Sequence, residues 1–286
     1  LALASIVDGY QRIFLMNEYQ SKLADILKTF NIKLETLNSE TPFIAKADEL
    51  STYIEKNDIV VLDGYQYNET YMEILNNISG GLVVIDDLNK GKYFADIIIN
   101  HGPHSKNAKY KSLDKTKLLL GEQYTLLRPA FYKNAGKGKV RDQVKVITIC
   151  FGGADSKNFA SKYLEALNHM NMSFQINIIL GASNQNLDKE YERFNQSLIK
   201  VKIFRNILDE KMVSLLLASD VLIATPSGIM MEACTLNIPT VTQALFKNQD
   251  PFYEFLDQHG LTTCIPKSSE YSTRLLSELL NTIICN

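Results

Sequence analysis

Short apolar runs alternate with longer amphipathic stretches from one end of the chain to the other. The short runs are rich in Ile, Val and Leu at successive positions rather than at every second one, which predicts strands buried on both faces, as in a parallel sheet. In the first half they fall at 13–16, 33–37, 58–64, 82–87, 97–101 and 118–121, and in the second at 144–151, 174–180, 199–204, 221–224, 240–244 and 263–265. Helical patterns fill the gaps, most clearly over 208–219, where Leu208, Met212, Leu215 and Leu216 fall on one face. Strands that alternate with helices in this way predict an α/β chain with parallel sheets.

The rhythm breaks once, at 132–143. This stretch holds Lys133, Gly136, Lys137, Gly138 and Lys139 without periodicity and reads as an exposed connection. Two domains are therefore predicted, 1–131 and 144–286. A phosphate loop at Gly136-Lys137-Gly138-Lys139 is the alternative, but no strand runs into it and no clear helix leaves it.

Composition narrows the function classes. A chain of 286 residues with 45% hydrophobic content can bury one large core or two medium ones. Its 30 basic and 32 acidic residues are interspersed, leaving a net charge of -2, so the field that attracts a nucleic-acid backbone is missing. Nucleic acid is not an expected partner. No apolar run approaches the roughly 18 residues of a membrane helix, and the start lacks the basic flank and cleavage site of a secretory leader. A cytoplasmic protein without membrane insertion is expected, as a monomer. Cys150, Cys234, Cys264 and Cys285 are far apart in apolar contexts, which predicts buried thiols rather than disulfides or zinc. No metal or cofactor is expected. The opening Leu1-Ala2-Leu3-Ala4-Ser5-Ile6-Val7 has the pattern of a helix body, so the expectation is that something is missing upstream.

In open parallel sheets ligands bind beyond the carboxyl ends of the strands, so the turns after the strands carry the chemistry. The run 146–151 leads into Gly152-Gly153-Ala154-Asp155, where paired glycines permit close backbone approach and a helix start favours an anion; an ordinary tight turn is the alternative. A similar turn holds Gly181. The run 221–224 opens into Thr225-Pro226-Ser227-Gly228 and a helix carrying Glu232. Ser227 suits an N-cap, and Glu232, five residues on, does not complete a capping box. A carboxylate just over one turn into such a helix can accept hydrogen bonds from both ribose hydroxyls while the helix tip takes a phosphate; a solvated Glu is the alternative. Asn248 and Gln249 precede another helix, where amides either cap or reach a ligand.

The ordered series Ile85-Asp86-Asp87, Ala95 to Asn100, Leu120 to Arg128, Phe151 to Asp155, Ser227 to Cys234 and Asn248-Gln249 resembles the UDP-sugar hydrolases of pseudaminic acid biosynthesis (PseG) and the related SpsG-type polysaccharide biosynthesis proteins, over nearly the whole chain. The resemblance implies the GT-B architecture of two Rossmann-like domains, with UDP held mainly by the second. By that resemblance Gly152, Gly153 and Asp155 flank the diphosphate and uridine, Glu232 holds the ribose, and Asn248 and Gln249 close the site; the turns after the strands add Gly181, Ser227 and Gly228 to the UDP-binding candidates. It also implies water attack at the anomeric carbon of a UDP-linked diacetamido-trideoxyhexose, with release of UDP and inversion. In the family the base is a His in a Gly-x-Gly-His loop that follows the first strand and precedes a Leu-Ala-Leu-Ala-like stretch. This chain opens at Leu1-Ala2-Leu3-Ala4, so that strand, loop and His are absent from the sequence.

Asp63 and Tyr65 match the family's Asp-x-Tyr in the active-site wall and are the candidates on the catalytic side. His101 and His104 read as surface residues. The family's Gly-Ser-Thr-Thr-Trp-Glu stands here as Ser227-Gly228-Ile229-Met230-Met231-Glu232, keeping the carboxylate and losing hydroxyls. A GT-B glycosyltransferase and a non-catalytic UDP-sugar binding module are the competing readings.

Overall fold

The computed structural model describes residues 2–17, 21–37, 49–152, 155, 158–181, 191, 194, 198–267 and 272–285, the side chains of Lys22 and Cys285 excepted. The chain divides into two compact units, Leu1–Leu126 and Leu127–Asn286.

The first unit contains α1 (Ala2–Ile6), β1 (Ile13–Met16), α2 (Ser21–Thr29), β2 (Lys33–Thr36), β3 (Ile59–Asp63), α3 (Glu69–Ile78), β4 (Gly81–Ile85), β5 (Lys92–Tyr93), β6 (Ile97–Asn100), β7 (Lys111–Ser112) and β8 (Lys117–Leu120). Four strands form a parallel sheet in the order β3-β4-β6-β8, while β1-β2 and β5-β7 are parallel pairs of their own. Helix α3 starts where Asn68 Oδ1 accepts from Tyr71 N at 2.9 Å, satisfying one of the donors that every helix start leaves open. Its Tyr71, Met72 and Leu75 pack with Leu62, Leu82, Val84 and Ile98 of the sheet, and Leu15 of β1 joins the same core.

The second unit contains α4 (Pro129–Lys133), β9 (Val146–Cys150), α5 (Phe159–His169), β10 (Gln175–Leu180), β11 (Lys200–Arg205), α6 (Asp209–Leu217), β12 (Val221–Ala224), α7 (Gly228–Leu236), β13 (Thr240–Thr242), α8 (Asp250–Gln258), β14 (Thr263–Cys264) and α9 (Thr273–Cys285). Its six strands are all parallel in the order β11-β10-β9-β12-β13-β14. Counted from β9 that is the 3-2-1-4-5-6 order of a dinucleotide-binding sheet, in which the winding reverses between β9 and β12.

The sequence explains why both faces are covered. Along β9, Ile147 and Ile149 enter one core with Tyr163, Leu164 and Leu167 of α5 and Leu276 and Leu280 of α9. Cys150, with Leu222 and Ala224 of β12, enters the other, against Phe131, Met212, Leu216, Met230, Ala233 and Leu256 of α4, α6, α7 and α8. Each fully buried Ile or Leu contributes about 1.5–3 kcal/mol, so continuous apolar strands are what a two-faced sheet requires.

The stretch 132–143 belongs to the second unit by its contacts. Gly136 N donates to Thr235 O at 2.8 Å, Gly138 N to Leu236 O at 2.7 Å, and Arg141 reaches Asp220. Sequence composition could not show these bonds, because the partners lie some eighty to a hundred positions away on α7 and ahead of β12. Leu208, expected in the apolar stripe of α6, is instead the residue before its first turn and is 63% exposed, while Met212, Val213, Leu215 and Leu216 are buried. Cys150 is a buried free thiol, whereas Cys234 and Cys264 are only half-buried. No helix among the described residues is long and apolar enough to cross a membrane.

Candidate functional site

Strands β9 and β12 run side by side and end level, with Cys150 opposite Ala224. The residues that follow them therefore emerge together at the carboxyl edge, at the point where the winding reverses. After β9, Gly152 takes φ +83°, a conformation that favours glycine, and among the described residues no atom comes within 4 Å of the place a Cβ would occupy. After β12, Ser227 is the N-cap of α7, yet its hydroxyl lies 3.3 Å from Thr225 Oγ1 and bonds weakly to Thr225 O at 3.4 Å instead of capping the helix. At Gly228, the first helical residue, the Cβ position is again open among the described residues. Among the described residues the first turn of α7 thus has no side-chain cap and open space beside it, the arrangement that suits an anion.

Helix α5 differs. Asp155, at φ +34°, receives Phe159 N on Oδ1 at 2.8 Å and Ala160 N on Oδ2 at 2.9 Å. Its carboxylate occupies the donors that the sequence reading offered to a phosphate, so of the two helix starts α7 is the open one. Burial raises the Asp155 carboxyl above its ordinary value, against the pull of those N–H groups and of Lys162. Gly153 lies outside the described residues.

Glu232 is a buried carboxylate with partners. Arg128 Nε donates to Oε1 at 2.8 Å and Nη2 to Oε2 at 2.7 Å, while Nη1 donates to Asp209 Oδ1 at 2.8 Å. Pro129 restricts Arg128 to an extended backbone at the start of α4, and the guanidinium stacks over the Phe131 ring, 4.8 Å from its centroid. Burial pushes the Glu232 carboxyl above the usual range; the Arg128 fork opposes that rise, and the neighbouring charge of Asp209 adds to it. The same charges reach the edge of β9. Burial pushes the Cys150 thiol up to about 11, with the Gly152 N–H, Glu232, Arg128 and Asp155 all within electrostatic range of it. Gly152, Asp155 and Glu232 therefore gather at one end of one sheet. Arg128 and Asp209 were not candidates in the sequence, although Arg128 closes the Leu120–Arg128 motif.

The remaining UDP-binding candidates are placed less tellingly. Gly181 follows β10, one strand beyond β9. Gln249 turns its Oε1 back to accept from Leu245 N at 2.8 Å and Phe246 N at 3.3 Å, which is a capping role, and Asn248 is exposed.

In the first unit, Asp63 ends β3 and Tyr65 donates to Asp87 Oδ2 at 2.7 Å. Burial and then Asp87 push the Tyr65 phenol up to about 12. Asp86 accepts three hydrogen bonds: from Tyr93 OH at 2.8 Å, Tyr110 OH at 2.7 Å and Asn89 N at 2.8 Å. His101 and His104 are not surface residues; both are half-buried, and burial lowers their basicity.

No family model matches the chain. In sequence it is similar to Uncharacterized protein MJ1062 of Methanocaldococcus jannaschii, 30% identical over 289 residues that take in 87% of this chain and 56% of that protein. The chain thus spans little more than half the length of this relative. Among solved structures it is similar to MurG of Acinetobacter baumannii, with a TM-score of 0.64 at 13% identity over 99% of this chain and 86% of that one. The glycotransferase of kitacinnamycin matches with a TM-score of 0.61 at 12% identity, over 100% and 86%. The spinosyn rhamnosyltransferase SpnG, solved with thymidine diphosphate, matches with 0.54 at 11%, over 96% and 92%. The chain has the GT-B fold of two Rossmann-like domains. At these identities the likeness speaks for fold and not for chemistry.

Proposed function

We propose that the chain is a nucleotide-sugar enzyme whose second unit holds UDP at the junction of β9 and β12. The proposed reaction is hydrolysis: water attacks the anomeric carbon of a UDP-linked diacetamido-trideoxyhexose, UDP leaves and the sugar is inverted, as a cytoplasmic step of nonulosonic acid or surface polysaccharide synthesis. The observation that carries the nucleotide reading is the meeting, at one sheet edge, of an uncapped helix start, a glycine in open space and a buried carboxylate on the same helix. A phosphate suits the first, close backbone approach needs the second, and a ribose hydroxyl suits an outer lone pair of the third, whose facing pair the Arg128 fork takes. UDP is a stabilised leaving group, so N–H donors at a helix tip can take up the charge it develops.

Asp63 and Tyr65 belong to the chemical half of the proposal. With its phenol held at about 12, Tyr65 donates a hydrogen bond and does not act as a base near neutral pH. Glycosyl transfer to an acceptor is the second reading, favoured by the names of the glycosyltransferases that share the fold. Incubation with the UDP-sugar and water alone separates the readings. Free sugar of inverted configuration supports hydrolysis, UDP release only on addition of an acceptor supports transfer, and UDP binding without turnover marks a binding module.

A further inference from the structure

We infer that Asp87 is the general base of the proposed hydrolysis, with Tyr65 as the positioning residue that orients it. The inference rests on the hydrolysis reading above. Strands β3, β4 and β6 are parallel neighbours in the sheet of the first unit, with Asp63 opposite Ile85 and Ile85 opposite Ile99. Two residues beyond that level come Tyr65, Asp87 and His101, one at the exit of each strand, on the carboxyl edge where ligands meet such sheets. Asp87 leaves the middle strand. It and Tyr65 are exposed, and the Tyr65 hydroxyl donates to Asp87 Oδ2 at 2.7 Å.

The other titratable groups at this edge are poorly suited to take a proton from water. Asp86 accepts three hydrogen bonds, one of them from Tyr110, whose hydroxyl accepts from Asn100 Nδ2 at 2.8 Å; it braces the exits of β4 and β6 against each other. Tyr65, its phenol pushed up to about 12, is a donor. His101 has Nδ1 buried without a partner among the described residues, so an imidazolium there would strand an N–H, and burial lowers its basicity. His104 is folded back over Gly102, where a Cβ would lie 2.4 Å from its Cε1, and burial lowers its basicity too. Asp63 and Asp87 remain. Of the two, Asp87 is the one that a hydrogen bond fixes among the described residues. A single neutral donor on Oδ2 sets the plane of the carboxylate and leaves Oδ1 to the water. Water then attacks the anomeric carbon from the face opposite UDP and gives its proton to Oδ1, while the bond from that carbon to the diphosphate oxygen breaks and its electron pair leaves with UDP.

The test follows UDP release from the UDP-sugar in water, with UDP titration and thermal unfolding alongside. Asp87→Asn keeps the shape of the side chain and cannot accept the proton, so turnover should fall roughly 10²–10⁴-fold with UDP affinity kept. Tyr65→Phe, which removes the orienting bond alone, should lose roughly tenfold. Azide needs no base, so added azide should restore UDP release in Asp87→Ala and yield a glycosyl azide of inverted configuration. A folded Asp87→Asn that turns over at the wild-type rate overturns the inference. So does a loss of UDP affinity in step with turnover, the mark of a structural role, and so does azide rescue of Asp63→Ala but not of Asp87→Ala. A wild type that binds UDP and releases none from the UDP-sugar overturns the hydrolysis reading and this inference together, while the nucleotide site stands.

Discussion

Arg128 and Glu232 lie 104 positions apart in the sequence and meet through two parallel hydrogen bonds, Nε to Oε1 at 2.8 Å and Nη2 to Oε2 at 2.7 Å. The bond joins the first residues of the second unit to the helix at its switch point, with Asp209 as third member. Such a pair is costly to break from one side. Arg128→Met leaves two carboxylates facing each other without a cation, and a loss of about 3 kcal/mol in urea unfolding near neutral pH is expected. Acidification neutralises Glu232, so the deficit narrows at lower pH; a deficit independent of pH would argue against the charge as its cause.

Asp155 supplies a helix cap, and its positive φ separates the cap from backbone strain. Glycine tolerates that φ better than aspartate does, so Asp155→Gly removes the carboxylate without adding strain. It should cost a few tenths of a kcal/mol through the lost bonds to Phe159 N and Ala160 N, the better fit of glycine to that φ offsetting part of the loss. Asp155→Asn, which keeps one acceptor, should cost less. Equal stability of all three would mean that the α5 donors find another partner.

Gly138 is held close to the end of α7. A Cβ there would lie 2.3 Å from Leu236 O and 2.7 Å from Asn237 O, both backbone atoms that cannot move aside alone. Gly138→Ala should destabilise by about 1–3 kcal/mol, as overpacking does. A neutral result in thermal unfolding would return 132–143 to the status of a loose connection.

At the amino edge of the same sheet, Asp220 accepts from Lys145 N at 2.8 Å, Val146 N at 2.7 Å and Arg141 Nη1 at 2.5 Å. Burial alone would raise its carboxyl, but these donors outweigh it and hold the group below the ordinary aspartate value. A carboxyl lowered on folding contributes stability that is present above its unfolded pKa of about 3.9 and is lost as pH falls through the folded value. Asp220→Asn should therefore be less stable than the wild type near neutral pH by about 2 kcal/mol, with the gap closing below about pH 4. Denaturant midpoints measured across that range check the sign.

The alternation of short apolar runs with helices was enough to place the strands. In the second unit burial on both faces puts apolar residues at successive positions. Strands β1, β2 and β8 of the first unit hold no buried residue, and the expectation of burial on both faces fails there. The two-residue strands β5 and β7 carry no such signal. At the site, the turns after β9 and β12 were readable from Gly152, Ser227 and Gly228, since local turn chemistry is written in adjacent residues. What local sequence cannot show is who pairs with whom. Asp155 turned out to cap α5, and Gln249 to cap its own turn, because the choice between a ligand and a nearby N–H is made by side-chain rotamers. Arg128 reaches Glu232 only because α4 packs beside α7 in the folded unit, a contact with no local trace.

The account stands or falls on nucleotide binding at the β9 and β12 junction. Isothermal titration of UDP into the wild type and Glu232→Ala measures it directly: saturable binding to the wild type, weakened roughly tenfold or more in the variant, is the predicted result. Absence of binding to the wild type, or equal affinity in the folded variant, would contradict it.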